Sequence, residues 1–150
     1  MNTFTICESL AAYLKTYTAL NTYSDQKFAK RPHLFIGFDG RNAPADTFLP
    51  YIAVVPSTRQ DVESTHEEHT ILLAVVCTDD SNTTASGVTK YEGFKTISDF
   101  EARVFEGVQA YFNEQIIEQS MLSWAQAQYN GYWPEYHATR EITVTSAKET

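Results

Sequence analysis

Two apolar runs constrain this chain more than any other feature. Tyr51-Ile52-Ala53-Val54-Val55 and Thr70-Ile71-Leu72-Leu73-Ala74-Val75-Val76-Cys77 are apolar or β-branched almost throughout. Continuous apolar runs of this length read as strands covered on both faces. Pro56 ends the first run, and residues 57–68 between them are polar. The pair therefore predicts a long antiparallel hairpin with its base in the core and a hydrophilic distal arm. The chain has 150 residues, 43% of them apolar, which suffices for one domain, residues 1–150, around one core.

The remaining elements follow from periodicity and turn chemistry. Ile6, Leu10, Tyr13, Leu14 and Tyr17 recur at steps of three and four and predict a helix over residues 5–20. After Asn21 the sequence becomes polar through Ser24-Asp25-Gln26-Lys27. Arg31-Pro32 then forces extended backbone before a short strand over residues 33–38, closed by the turn pair Asp39-Gly40. Residues 79–90, rich in Asp, Ser, Asn and Thr, read as a mobile loop. Ser98, with Glu101 three residues on, predicts an N-cap. The helix it opens carries Phe100, Val104, Val108, Tyr111, Phe112 and Ile116 on one face to about Glu118, with Glu101, Arg103, Glu106 and Asn113 on the other. Residues 121–129 and 136–145 predict a second strand pair turning at Asn130-Gly131. In the last strand Tyr136, Ala138, Ile142 and Val144 share one face, interrupted by Arg140, while His137, Thr139, Glu141, Thr143 and Thr145 face water. The order gives an α+β class: a mixed or antiparallel sheet packed against two main helices, with an extended β-hairpin arm.

Charge and motifs narrow the function. Eleven basic against nineteen acidic residues give a net charge of −8, which disfavours binding to phosphates by counterion release. No apolar run approaches the ~20 residues of a membrane helix, and no signal peptide is visible. Cys7 and Cys77 sit in apolar surroundings and read as buried, reduced thiols.

Catalytic and metal-binding patterns are weak. In His66-Glu67-Glu68-His69 the histidines are three apart in a segment leading into a strand, where odd spacing sends them to opposite faces. With Asp61 or Glu63 they could be drawn as a metal site, but a solvated hairpin end fits the pattern better. Cys77, His69 and Asp79 lie too far apart along one strand to form a triad. No glycine-rich phosphate loop is present. Glu67-Glu68 and Asp79-Asp80 read as solubilising charges, and Tyr129, Tyr132, Trp133 and Tyr136 as cross-strand packing rather than a sugar or base platform. The residues thus predict no catalytic centre, no metal and no cofactor.

A family resemblance runs along most of the chain. Its points are Phe38-Asp39-Gly40-Arg41, Leu49-Pro50-Tyr51-Ile52-Ala53-Val54, the polar arm into Glu68-His69-Thr70-Ile71-Leu72-Leu73-Ala74-Val75, Asp99-Phe100-Glu101-Ala102-Arg103-Val104, Ser123-Trp124-Ala125, and Tyr129-Asn130-Gly131-Tyr132 before the closing strand. In this order and at this size the chain resembles the tail terminator, or tail completion, proteins of long-tailed bacteriophages, with the phage lambda protein as type. The resemblance implies a structural virion protein of the tail or neck, assembled in the host cytoplasm as a six-subunit ring. It would sit on the head-proximal end of the tail tube, stop its polymerisation and present a surface to the head connector. Its partners would be other copies of itself, the tail tube protein and the neck protein, with DNA passing unbound through the lumen. Another neck or head-completion protein, or a metal-binding module on His66 and His69, are the alternatives. Arg59, Asp61, Glu63, Glu67, Glu68 and Arg140 are the candidate contact residues, with Arg59, Arg103 and Arg140 expected to meet carboxylates of a neighbour.

Overall fold

A computed structural model describes residues 2–37, 44–114 and 121–148. The Asp39-Gly40 turn, Arg41, Ile116 and the helix end expected near Glu118 lie outside these residues. The fold is α+β, with three helices, a mixed six-stranded sheet and a separate two-stranded sheet among the described residues.

The helix expected over residues 5–20 is two helices, α1 (Thr3–Lys15) and α2 (Thr18–Phe28). Asn2 caps α1, its Oδ1 accepting from Thr5 N–H at 2.7 Å. Tyr17 is extended and breaks the run. Asn21 makes the break tolerable, because its side-chain amide donates to the Lys15 carbonyl that the end of α1 leaves unsatisfied. Residues 24–27, read only as a polar stretch after the first helix, belong to α2. Ser24 is buried there with its hydroxyl donating to Lys30 O, so one inward position is polar and the apolar period is hidden.

The long hairpin is present as β2 (Tyr51–Val62) and β3 (His66–Thr78). Tyr51, Ile52, Ala53 and Val54 are all buried. Helix α1 covers one face, and Tyr51 on the other meets an aromatic group built from Phe35, Phe48 and His33. Strand β1 (His33–Ile36) pairs with β2 in parallel, the one parallel ladder of the sheet as described.

The mobile loop expected at residues 79–90 is instead a small hairpin, β4 (Asn82–Ala85) and β5 (Val88–Tyr91). Ser86 and Gly87, both at positive φ, make its turn. Polar composition excluded a core role but not local pairing. Helix α3 (Gly93–Glu114) begins a turn before the expected cap, so Ser98 lies inside it and bonds Tyr129 Oη at 3.2 Å. Gly93 is required here: a Cβ would overlap the Tyr136 ring.

The chain ends in β6 (Met121–Trp124), β7 (Gln128–Tyr132) and β8 (Glu135–Ala147). Asn130-Gly131 is not the turn; it lies within β7, Gly131 at φ 96°, and the chain reverses at Trp133-Pro134. The sheet order is β1-β2-β3-β8-β6, with β7 also on β8. Helices α1 and α3 pack on one face. There Leu10, Leu14, Phe100, Val104 and Val108 meet Ile52, Ile71, Leu73, Val75, Ile142 and Val144 in one buried cluster. Cys7 and Cys77 are buried free thiols, and burial pushes them up to about 11 and about 12 respectively, which keeps them protonated.

Candidate assembly surface

The arm is part of a wider sheet rather than a bare hairpin, because β8 follows β3 all the way from Thr78↔Glu135 to His66↔Ala147 and β6 lies along β8 at Ile142 to Thr145. Its residues alternate sharply. On β3, Glu67, His69, Ile71, Leu73 and Val75 point inward and are buried. The expected solvated end is therefore wet on one face only. Glu67 and His69 extend the core face of the strand beyond the last apolar residue, as a period of two requires.

A chain of polar contacts makes that burial tolerable. Thr3 Oγ1 lies 2.8 Å from His69 Nδ1, which ties the first turn of α1 to the arm. His69 Nε2 faces Glu67 Oε2 at 3.4 Å, too poorly aligned to count as a hydrogen bond. Arg59 Nη2 donates to Glu67 Oε1 at 2.7 Å. The Arg59 hydrogen bond holds the Glu67 carboxyl below the usual range. Burial pushes His69 down, with Glu67 opposing. Glu67 is thus not the ordinary solubilising carboxylate that its sequence neighbourhood predicts.

The other candidate residues are spread over the molecule. Asp61 is exposed on β2, its Oδ1 3.2 Å from Lys148 Nζ. Glu63 sits at the arm tip at φ 64°. Glu68 accepts from Gln60 on the outer face at 3.0 Å. Arg140 is remote from the tip. It forms a bidentate pair with Glu101 of α3, at 2.6 and 2.9 Å, and its guanidinium lies 4.0 Å over the Phe105 ring. Within the chain, Arg59 pairs with Glu67, Arg103 with Glu106 and Arg140 with Glu101. Glu101, expected on the wet side of its helix, is 2% exposed. It flanks Phe100 on the edge of the apolar stripe and reaches the one charge on the inward face of β8.

The opposite end of β3 carries a surface that sequence reading missed. Tyr91, Phe94, Tyr132 and Trp133 are large and exposed, Tyr132 at 83%. Trp133 Nε1 donates to Asp80 O at 3.0 Å, and Phe94 packs edge-on to Tyr136 at 4.9 Å. Asp79 joins this end to α3. Burial works against its carboxylate, but hydrogen bonds from Ser81 and from Thr96 Oγ1 outweigh that and hold its pKa low. The aromatic residues around Asn130-Gly131 thus remain largely outside the packing role expected of them, apart from Tyr136, which is buried.

Among the described residues no group of three or more His, Cys, Asp or Glu is placed to hold a metal ion, and His66 and His69 lie on opposite faces of β3. No described helix is long and apolar enough to cross a membrane. No protein-family model and no curated protein matches the chain.

Proposed function

We propose that this chain is a structural assembly protein of the tail terminator type, closing into a six-subunit ring on the head-proximal end of a phage tail tube. One observation carries the reading: two unlike surfaces sit at opposite ends of the same thirteen-residue strand, β3. A charged arm projects at the His66 end, and exposed aromatic side chains lie toward the Thr78 end, roughly 40 Å away along the strand. A ring of identical subunits needs just such a heterologous pair of patches, one to give and one to receive. Exposed Tyr and Trp suit the receiving patch, since aromatic residues supply most of the energy at interface centres. The arm is held stiff by β8 and by the Thr3–His69–Glu67–Arg59 contacts, so little ordering cost is added on assembly. A net charge of −8 suits a lumen through which DNA slides.

Sedimentation and electron microscopy of the purified protein, alone and with isolated tail tubes, test the reading. Rings or tube-end caps are expected. A monomer that also ignores tube ends would overturn it, as would a position within the head connector, away from the tube.

A further inference from the structure

Asn130-Gly131, a turn pair in the sequence, lies within β7, and the ladder with β8 decides what its backbone amide does. The Glu141 carbonyl accepts from Ala125 N at 3.0 Å. Successive residues of an antiparallel strand address opposite neighbours, and β8 keeps one register against β3 from Glu135 to Ala147 without a bulge. The odd-numbered residues of β8 therefore address the side on which β6 and β7 lie. Glu135 and His137 turn their backbone groups toward their partners Tyr132 and Asn130. Gly131, between those partners, turns its N–H and C=O away from β8. Its N–H donates instead to Asn130 Oδ1 at 2.7 Å.

That contact sets a nucleophile beside an electrophile. Oδ1 is carried on Cγ, so the hydrogen bond holds the side-chain carboxamide carbon of Asn130 next to Gly131 N, and a bond between the two closes a five-membered ring. Holding reacting groups together beforehand removes much of the entropic part of a barrier. Gly131, at φ 96°, has no side chain to shield its nitrogen. Asn130 is exposed, and the pair opens on a cavity of about 270 Å³ lined also by Tyr132, Glu135 and His137. The Glu135 carboxylate, whose charge opposes an amide anion, faces His137 Nε2 at 3.5 Å. A strand protects an asparagine when the next N–H is bound in the ladder, and the parity of β7 withholds that protection here.

We propose that Asn130 is a site of spontaneous modification, converting through a cyclic imide with Gly131 to aspartate and isoaspartate. Gly131 N gives its proton to hydroxide and bonds to Asn130 Cγ. The Cγ–Nδ2 bond breaks, and Nδ2 leaves as ammonia with a proton from water, which regenerates the hydroxide. Water then adds to the imide. Breaking the new Cγ–N bond leaves aspartate, and breaking the original peptide C–N bond leaves isoaspartate, with the main chain routed through Cγ. Water is the only co-reactant, and nothing is oxidised or reduced. Either product adds a negative charge near Glu135, and isoaspartate lengthens β7 by one methylene just before Tyr132 and Trp133. The proposal is independent of the tail terminator reading.

Incubation of the intact protein at mildly alkaline pH, followed by peptide mass mapping, tests it. The peptide carrying Asn130 is expected to lose the mass of ammonia and then gain that of water. It should do so many-fold faster than the peptides carrying Asn82 and Asn113, which precede Thr83 and Glu114. The folded protein is expected to convert at least as fast as a synthetic peptide of residues 127–134, with circular dichroism confirming that the protein stays folded. Isomerisation at Asp39-Gly40 changes no mass and is not counted. Asn130→Gln keeps a carboxamide but needs a larger ring, and is expected to lose the change. Conversion at Asn130 no faster than at Asn82, or many-fold slower in the folded protein than in the peptide, overturns the proposal. So does an undiminished change in Asn130→Gln. The comparisons within the unaltered chain keep the test decisive even if that variant fails to fold.

Discussion

Arg140 and Glu101 pair where β8 meets α3, with side-chain exposures of 15% and 2%. A buried pair stabilises little relative to apolar residues of the same size, but removing one partner strands the other charge. Arg140→Met is therefore expected to destabilise the protein by about 3 kcal/mol in urea denaturation, and Glu101→Met/Arg140→Met to recover most of that loss. Equal losses in both variants would mean that the pair acts through packing alone. His69 gives a pH effect whose sign is fixed by its burial. Its folded pKa lies below the ordinary value of 6.5, so the unfolded chain takes up a proton that the folded chain refuses. That stabilisation is complete above the unfolded pKa and is lost as pH falls through 6.5 toward the folded value. Glu67, also lowered, acts in the same sense but in more acid solution. Stability is expected to fall as the pH drops through 6.5, and His69→Gln to flatten that slope. An unchanged slope in the variant would assign the effect elsewhere. Neither residue's role was legible in the sequence, because a lone Arg on an apolar face and a His in a polar stretch reveal nothing of the partner that meets them from another element.

At the scale of elements, the strands declared themselves where both faces are covered and the helices where their buried stripe is wholly apolar. α3 was visible through Phe100, Val104 and Val108, whereas α2 buries Asn21 and Ser24 beside Leu20 and gave no clean period. The β4–β5 hairpin was hidden for the opposite reason. Every residue in its strands is exposed, so no pattern of burial marks it, and two strands without a covering layer are marginal in water. Its amides are expected to exchange with solvent far faster than those of β3 and β8 when followed by hydrogen exchange. Protection equal to that of the central strands would show that the hairpin is covered in solution by another chain, as an assembled ring would do.

The whole molecule brings together parts that sequence order keeps apart. Gly93, at the start of α3, lies against Tyr136 at the start of β8, and the ring leaves no room for a Cβ. Gly93→Ala is expected to cost about 1–3 kcal/mol by overpacking, measured as a lowered denaturation midpoint, although a glycine at a helix start is otherwise easily replaced. The hydrophobic pattern by itself determined the class, the paired central strands, the polar arm between them and the amphipathic helix that covers them, because period and turn chemistry act over a few residues. Tertiary structure alone decided that β8 would stiffen the arm, that Arg59, Arg103 and Arg140 would find carboxylates within the chain, and that Tyr91, Phe94, Tyr132 and Trp133 would all be exposed toward one end. Those outcomes depend on which distant residues the sheet order sets side by side, and a contact between remote segments has no local period to announce it.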